Sequence, residues 1–150
     1  MGRIRLTKEF SLEMAHMLEG YDGPCREILG HSYKLFVTVI GAPCDNPQNP
    51  KYGMVMDFGV LKRIVNRLIV DVYDHSMLLR RTDSNVRLVA ELETHFEKVR
   101  AVDFQATCEN LVERFAALLS PELHEGVELF SLRLHETATS YAEWFASDNI

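Results

Sequence analysis

The sequence is short of most residues that would fix a protein's class at a glance. It has only three cysteines, Cys25, Cys44 and Cys108, an odd number with no CxxC pair. That excludes a disulfide scaffold and fits a reducing compartment. Basic residues are in deficit, with 16 Lys and Arg against 22 Asp and Glu and a formal net charge of −6. A general nucleic-acid binder needs the opposite balance to neutralise phosphates. No apolar stretch approaches the roughly 18 residues of a membrane span. The glycines and prolines form neither a low-complexity tract nor a GxGxxG or P-loop spacing. The opening MGRIRLTKEF lacks the apolar core of a secretory signal, and Leu6 stands where N-myristoylation requires Ser or Thr. A cytoplasmic protein without membrane or nucleic-acid partners is expected.

The composition that remains, 47% hydrophobic and 25% charged, is that of a folded globular chain. Its 150 residues suit one domain, 1–150. From Ile4 the even positions run Ile4, Leu6, Lys8, Phe10, Leu12, Met14, His16, Leu18, a period of two that predicts a strand with His16 on its buried face. Residues 19–30 carry two glycines and a proline and read as a loop. HSYKLFVTVIG predicts a second strand with His31, Tyr33, Leu35, Val37 and Val39 on one face. GMVMDF suggests a short strand pairing back. Leu61, Ile64, Val65, Leu68, Ile69 and Val72 have helical spacing behind Asp57 as N-cap. SNVRLVAELE predicts a short helix starting at Ser84, and VRAVDF a strand. A long helix capped by Thr107 buries Leu111, Val112, Phe115, Ala116 and Leu119. The last pattern, VELFSLRLHET, places Phe130, Leu132, Leu134 and Glu136 in one row. Helices grouped between antiparallel hairpins indicate an α+β fold.

Four sets of residues carry chemistry. His16 and His31 sit near the ends of two neighbouring strands, each on the apolar face, which suits a shared metal as well as two separate core histidines. Cys25 lies in a glycine-rich loop, where a thiol can serve as nucleophile or base. Asp74 and His75 end a helix, where a carboxylate can orient an imidazole. Glu136 closes an apolar row, and a carboxylate there needs a partner. An N–H pair of the kind a guanine or pterin ring presents would satisfy it in bidentate fashion.

FSLEMAHML, CREILGHSYKLFVTV, GMVMDFGVLK, YDHSMLL, ATCENL and LHETATSYAEW together resemble the 6-pyruvoyl-tetrahydropterin synthase and 6-carboxy-5,6,7,8-tetrahydropterin synthase family, over nearly the whole chain and most weakly across 80–104. The resemblance implies the tunnelling fold (T-fold), an antiparallel four-stranded sheet backed by two helices, which assembles into an oligomeric barrel as a trimer or dimer of trimers. It implies a zinc cofactor with His16 and His31 as ligands. It further implies Cys25, Asp74 and His75 as the proton-moving set, Glu136 as the anchor of the pterin ring, and Thr107, Cys108 and Glu109 along that pocket. The activity implied is a lyase acting on 7,8-dihydroneopterin triphosphate with loss of triphosphate. Its product would be 6-carboxytetrahydropterin, of the queuosine pathway, or the pyruvoyl compound of tetrahydrobiopterin synthesis. A 6-hydroxymethylpterin-forming activity using Glu27 is a further possibility within the class.

The family's His-Gly-His motif is Leu29-Gly30-His31 here, so its first histidine, the middle zinc ligand, is replaced by a side chain that cannot coordinate. Three outcomes follow. Glu27 or Cys25, which share the parity of Leu29 and His31, supplies the missing ligand; or His16 and His31 bind zinc weakly; or the protein holds no metal and binds pterins without turnover. Arg26, Lys34, Arg80 and Arg81 are available for the triphosphate.

Overall fold

The opening alternation becomes a long strand. In the computed structural model, which describes residues 2–21 and 27–150, β1 (Ile4–Met17) buries Phe10, Leu12, Met14 and His16 and leaves Ser11 and Glu13 exposed. It pairs antiparallel with β2 (Leu29–Gly41), so that Met14 lies opposite His31 and His16 opposite Leu29. On its other side it pairs parallel with β3 (Ser76–Arg80), which in turn pairs parallel with β4 (Val99–Val102). β2 continues antiparallel to β5 (Val127–Thr137), and β5 to β6 (Ser140–Phe145). Among the described residues the sheet has six strands, in the order β4-β3-β1-β2-β5-β6. The expected antiparallel four are β1-β2-β5-β6, and β3 and β4 extend them in parallel. The α+β expectation holds, while the strand count is corrected from four to six. The apolar residues of SMLLR are too few to show a periodicity, and only the neighbouring strands make that segment a strand.

One face of the sheet is covered by two helical units. The first comprises α1 (Phe58–Val65), a π-helical turn (Asn66–Val70) and α2 (Asp71–Tyr73). Asp57 caps it as expected, accepting from the Gly59 N–H at 2.7 Å. Its buried side chains Leu61, Val65, Ile69 and Tyr73 recur every four residues. In a regular α-helix that row would drift around the axis, and the wider π turn brings it back towards the sheet. The second unit is α4 (Cys108–Leu119), capped by Thr107 and burying Leu111, Val112, Phe115, Ala116 and Leu119. α3 (Val86–His95) begins two residues beyond the predicted start at Ser84 and covers the opposite face of β3 and β4, where Leu79, Val89 and Val99 form a small separate core.

Two sequence expectations are corrected. GMVMDF forms no strand: Met54 O accepts from the Cys44 N–H, Gly53 N–H donates to Cys44 O, and the segment closes its own loop while burying Val55 and Met56. Phe130 does not share a face with Leu132, Leu134 and Glu136. The register with β2 slips between Thr38 and Val39, leaving an extra residue in β5, and such a bulge reverses the parity beyond it. Val127 and Leu129 therefore face the core before the slip and Leu132 and Leu134 after it. Phe130 turns to the other face under the Arg5 guanidinium. Among the described residues, no helix is long and apolar enough to cross a membrane.

Candidate functional site

The register that sets His16 opposite Leu29, and His31 two residues further along β2, gathers side chains at the end of the core. The His16 and His31 rings meet edge to face with centroids 5.1 Å apart, and both pack against Tyr33. Glu136, on β5, comes to the same point. Its Oε1 lies 3.7 Å from His16 Nε2, and one ligand atom from each of His16, His31 and Glu136 lies within 4.8 Å of the others. The other ring nitrogen of His16, Nδ1, is 2.7 Å from the Ala106 carbonyl. A carbonyl only accepts, so Nδ1 carries a proton, and the tautomer this selects has its lone pair on Nε2. The Nε2 atoms of His16 and His31 are both buried and have no hydrogen-bond partner among the described residues.

This arrangement is expensive without a ligand. A buried polar atom left unpaired costs about 1–3 kcal/mol, and here two such atoms converge beside one carboxylate. The 3.7 Å gap is too long for a hydrogen bond. It is close to the roughly 3.3 Å that separates two ligand atoms on a tetrahedral zinc with bonds of ~2.0–2.1 Å. Two imidazoles and a carboxylate, with one imidazole oriented through its second nitrogen, form a donor set suited to a borderline divalent cation.

Two clefts border this group, one lined by Glu136 and the other by His31. One, of about 420 Å³, is lined by Cys108, Glu109, Glu136, Ser140, Tyr141 and Ala142. Burial pushes the Cys108 thiol up to about 11, the neighbouring Glu136 and Glu109 charges adding to the rise. At neutral pH it is an uncharged wall that donates to Leu134 O at 3.1 Å. The Thr107 hydroxyl is committed to the helix cap, accepting from the Asn110 N–H at 3.2 Å. The second cleft, of about 350 Å³, is lined by Gly30, His31 and Ser32 on one side and His75 and Ser76 on the other.

Asp74 and His75 are locked to β1. Asp74 Oδ1 accepts from the Glu13 N–H at 2.8 Å, and its Oδ2 lies 3.1 Å from His75 Nδ1. The His75 N–H donates to Glu13 O at 2.6 Å. His75 has φ 62°, the one positive value at a non-glycine among the described residues. Such a conformation persists only where the surroundings impose it. The result is a ring that is three-quarters exposed, with its Nδ1 held by a carboxylate.

The sequence candidates therefore separate. His16, His31 and Glu136 come together, Glu136 joins Cys108 and Glu109 around one cleft, and His31 joins His75 around the other. Cys25 lies outside the described residues, as does Arg26. Glu27 is exposed and does not belong to the histidine group. Lys34 points to the other face and pairs with Glu9 at 3.0 Å. Sequence reasoning missed Glu136 as a neighbour of the histidines, although its place at the end of an apolar row signalled an unmet partner. It also missed Tyr141.

The family profile for 6-pyruvoyl tetrahydropterin synthase matches residues 5–147. The chain is 36% identical over 142 residues to 6-carboxy-5,6,7,8-tetrahydropterin synthase of Haemophilus influenzae, covering 94% of this chain and 98% of that one. It is 31% identical over 127 residues to the enzyme of that name from Synechocystis, covering 79% and 98%. Among solved structures, the 6-pyruvoyl tetrahydropterin synthase of Caenorhabditis elegans superposes with TM-score 0.70 at 20% identity, covering 97% of each chain. The uncharacterised protein WS1659 of Wolinella succinogenes superposes with TM-score 0.81 at 19% identity, covering 97% and 99%. These last two likenesses establish the fold, and the profile and the first relative establish descent. The chain belongs to the 6-pyruvoyl tetrahydropterin synthase family.

Proposed function

We propose that this protein is a pterin-converting lyase that acts on 7,8-dihydroneopterin triphosphate with loss of triphosphate and forms 6-carboxy-5,6,7,8-tetrahydropterin. The choice of product follows the activity that names the Haemophilus influenzae relative, which matches 94% of this chain. The observation that carries the reading is the pair of buried, unpartnered imidazole Nε2 atoms of His16 and His31 beside Glu136, with Glu136 lining one cleft and His31 another.

His16, His31 and Glu136 would hold zinc, Glu136 supplying the ligand that Leu29 cannot. Zinc in that place supplies a Lewis acid and a template for the hydroxyls of the substrate side chain. The chain's own residues do the rest. Asp74 accepts the Nδ1 proton of His75 and so leaves Nε2 as the basic nitrogen facing the cleft, where it takes a proton from the side chain of the bound pterin and returns it. Cys25 is the second proton-moving group in this reading, and it stands in the sequence six residues before His31. The amidine edge of a pterin lies at the far end of the ring system from its side chain. One carboxylate cannot grip that edge and also hold the metal that the side chain meets. Glu136 serves the metal, and Glu109, the other carboxylate of the cleft, takes the ring N–H pair in bidentate fashion. The neutral Cys108 thiol closes the wall without repelling the ring.

The sheet is open, with β4 and β6 as its edges. Unpaired edges favour closure by further copies, and a homo-oligomer, a trimer or a dimer of trimers, is part of this proposal.

Incubating the zinc-loaded protein with 7,8-dihydroneopterin triphosphate and identifying the products by mass spectrometry tests the function. The expected products are 6-carboxytetrahydropterin, a two-carbon aldehyde and tripolyphosphate. Tight pterin binding with no tripolyphosphate released would mean a pterin-binding protein without turnover and would overturn the lyase. A 6-hydroxymethylpterin product would equally overturn the assignment.

A further inference from the structure

A third cleft, of about 530 Å³, lies beside β3 and β4 and is lined by Arg80, Arg81, Arg114, Tyr73, Phe104 and Asp103, with two residues of β4. Three of the residues that line it are arginines, on a chain whose net charge is −6. Among the described residues, none of the three forms an ion pair or a side-chain hydrogen bond, although Asp103 shares the cleft. Arg80 Nε is fully buried and unpaired. Uncompensated arginines around a concave, partly desolvated surface repel one another. The arrangement becomes favourable when a multivalent anion enters, because each fork then gains charge-assisted hydrogen bonds. Tyr73 is pinned against Phe115 with ring centroids 5.3 Å apart, so this wall of the cleft is rigid.

The cleft is tied to the histidine group in two ways. Leu78 is the register partner of His16, and Arg80 is the next residue of β3 on that face. At ~3.3 Å per residue and ~4.8 Å between strands, Arg80 lies about 8 Å from His16 between Cα atoms. The segment that leaves the cleft at Asp103 and Phe104 delivers, at Ala106, the carbonyl that orients His16.

We propose that the Arg80, Arg81 and Arg114 cleft binds an oligophosphate and that its natural occupant is the triphosphate tail of the pterin substrate. The second clause rests on the function proposed above, and the first does not. Phosphate oxygens accept from the guanidinium forks while the pterin side chain reaches towards His16. The net acidic surface leaves this as a local attractor for the tail.

The test measures calorimetric binding of inorganic tripolyphosphate to the full-length protein, with orthophosphate as the comparison. The proteins compared are the unsubstituted chain, the exposed-site variant Arg114→Met, Arg80→Met and, to exclude binding through a metal, His16→Ala. The expected result is tighter binding of tripolyphosphate than of orthophosphate, weakened at least about tenfold by either arginine substitution and unchanged in His16→Ala. Arg114→Met should also raise KM for 7,8-dihydroneopterin triphosphate by a similar factor with kcat within about twofold. Lost tripolyphosphate binding with unchanged KM would overturn the tail as occupant and leave a separate oligophosphate site. Binding that is absent, or unaffected by both arginine variants, would overturn the site itself. Absence of any turnover by the unsubstituted protein, with tripolyphosphate binding intact, would count against the proposed lyase and not against the cleft.

Discussion

Replacing Glu136 by Gln lowers zinc affinity at least about 100-fold while leaving the fold intact. Gln keeps the shape of Glu and removes its charge, so packing around His16 is preserved and only the donor changes. Two neutral imidazoles alone are a poor zinc site, because catalytic zinc ordinarily takes three protein ligands and keeps one position open. Loss even of an outer partner of a ligand costs 10–100-fold in affinity, and loss of one of three ligands costs more. Competition titration with a chelating dye measures the change, and thermal unfolding of the metal-free proteins provides the control. Should zinc affinity stay within about threefold while KM for the pterin rises, Glu136 would be the ring anchor, and its approach to His16 at 3.7 Å would be incidental.

The converse substitution, Leu29→His, raises zinc affinity at least about tenfold. Leu29 lies directly across from His16 in the β1–β2 ladder, where Cβ atoms are ~4.5–5.5 Å apart. It shares its face with His31, two residues along the same strand. An imidazole at 29 therefore enters the group from a rigid element without moving the backbone. The two substitutions are also coupled. In the Leu29→His background a third imidazole is present, and Glu136→Gln should cost far less zinc affinity than in the unsubstituted chain. A double-mutant cycle reads that difference directly. If Leu29→His brings no gain, the lone pairs of His16 and His31 do not share an ion.

Much of this site was legible in the sequence because strands alternate strictly. The parity of β1 and β2 placed His16 and His31 on one face, and nothing in the structure disturbed that alternation. Thr107 and Asp57 were legible as caps because a side-chain oxygen before an apolar helical run has few other uses. Other features depend on partners far away in the chain. β3 is a strand because β1 and β4 flank it, and its own five residues carry no pattern of their own. The bulge that turns Phe130 outward exists in the pairing of β5 with β2, and a single strand read alone continues its alternation through it. Glu136 was singled out as an unsatisfied carboxylate, but its neighbours depend on that same register. The resemblance to the family directed it to the ring instead. Arg80 and Arg81 were available charges without a place until the parallel pairing of β3 with β1 and β4 brought them to one cleft with Arg114.

The central claim is that His16, His31 and Glu136 form one metal group, with neither Cys25 nor a third histidine completing it. Zinc K-edge absorption spectroscopy of the zinc-loaded protein tests this directly. The expected spectrum has a first shell of nitrogen and oxygen alone at ~2.0–2.1 Å, with outer-shell scattering from two imidazoles, and one imidazole fewer in His16→Ala. A sulfur shell at ~2.3 Å, which would make Cys25 a ligand, or a spectrum unchanged by His16→Ala, would contradict it.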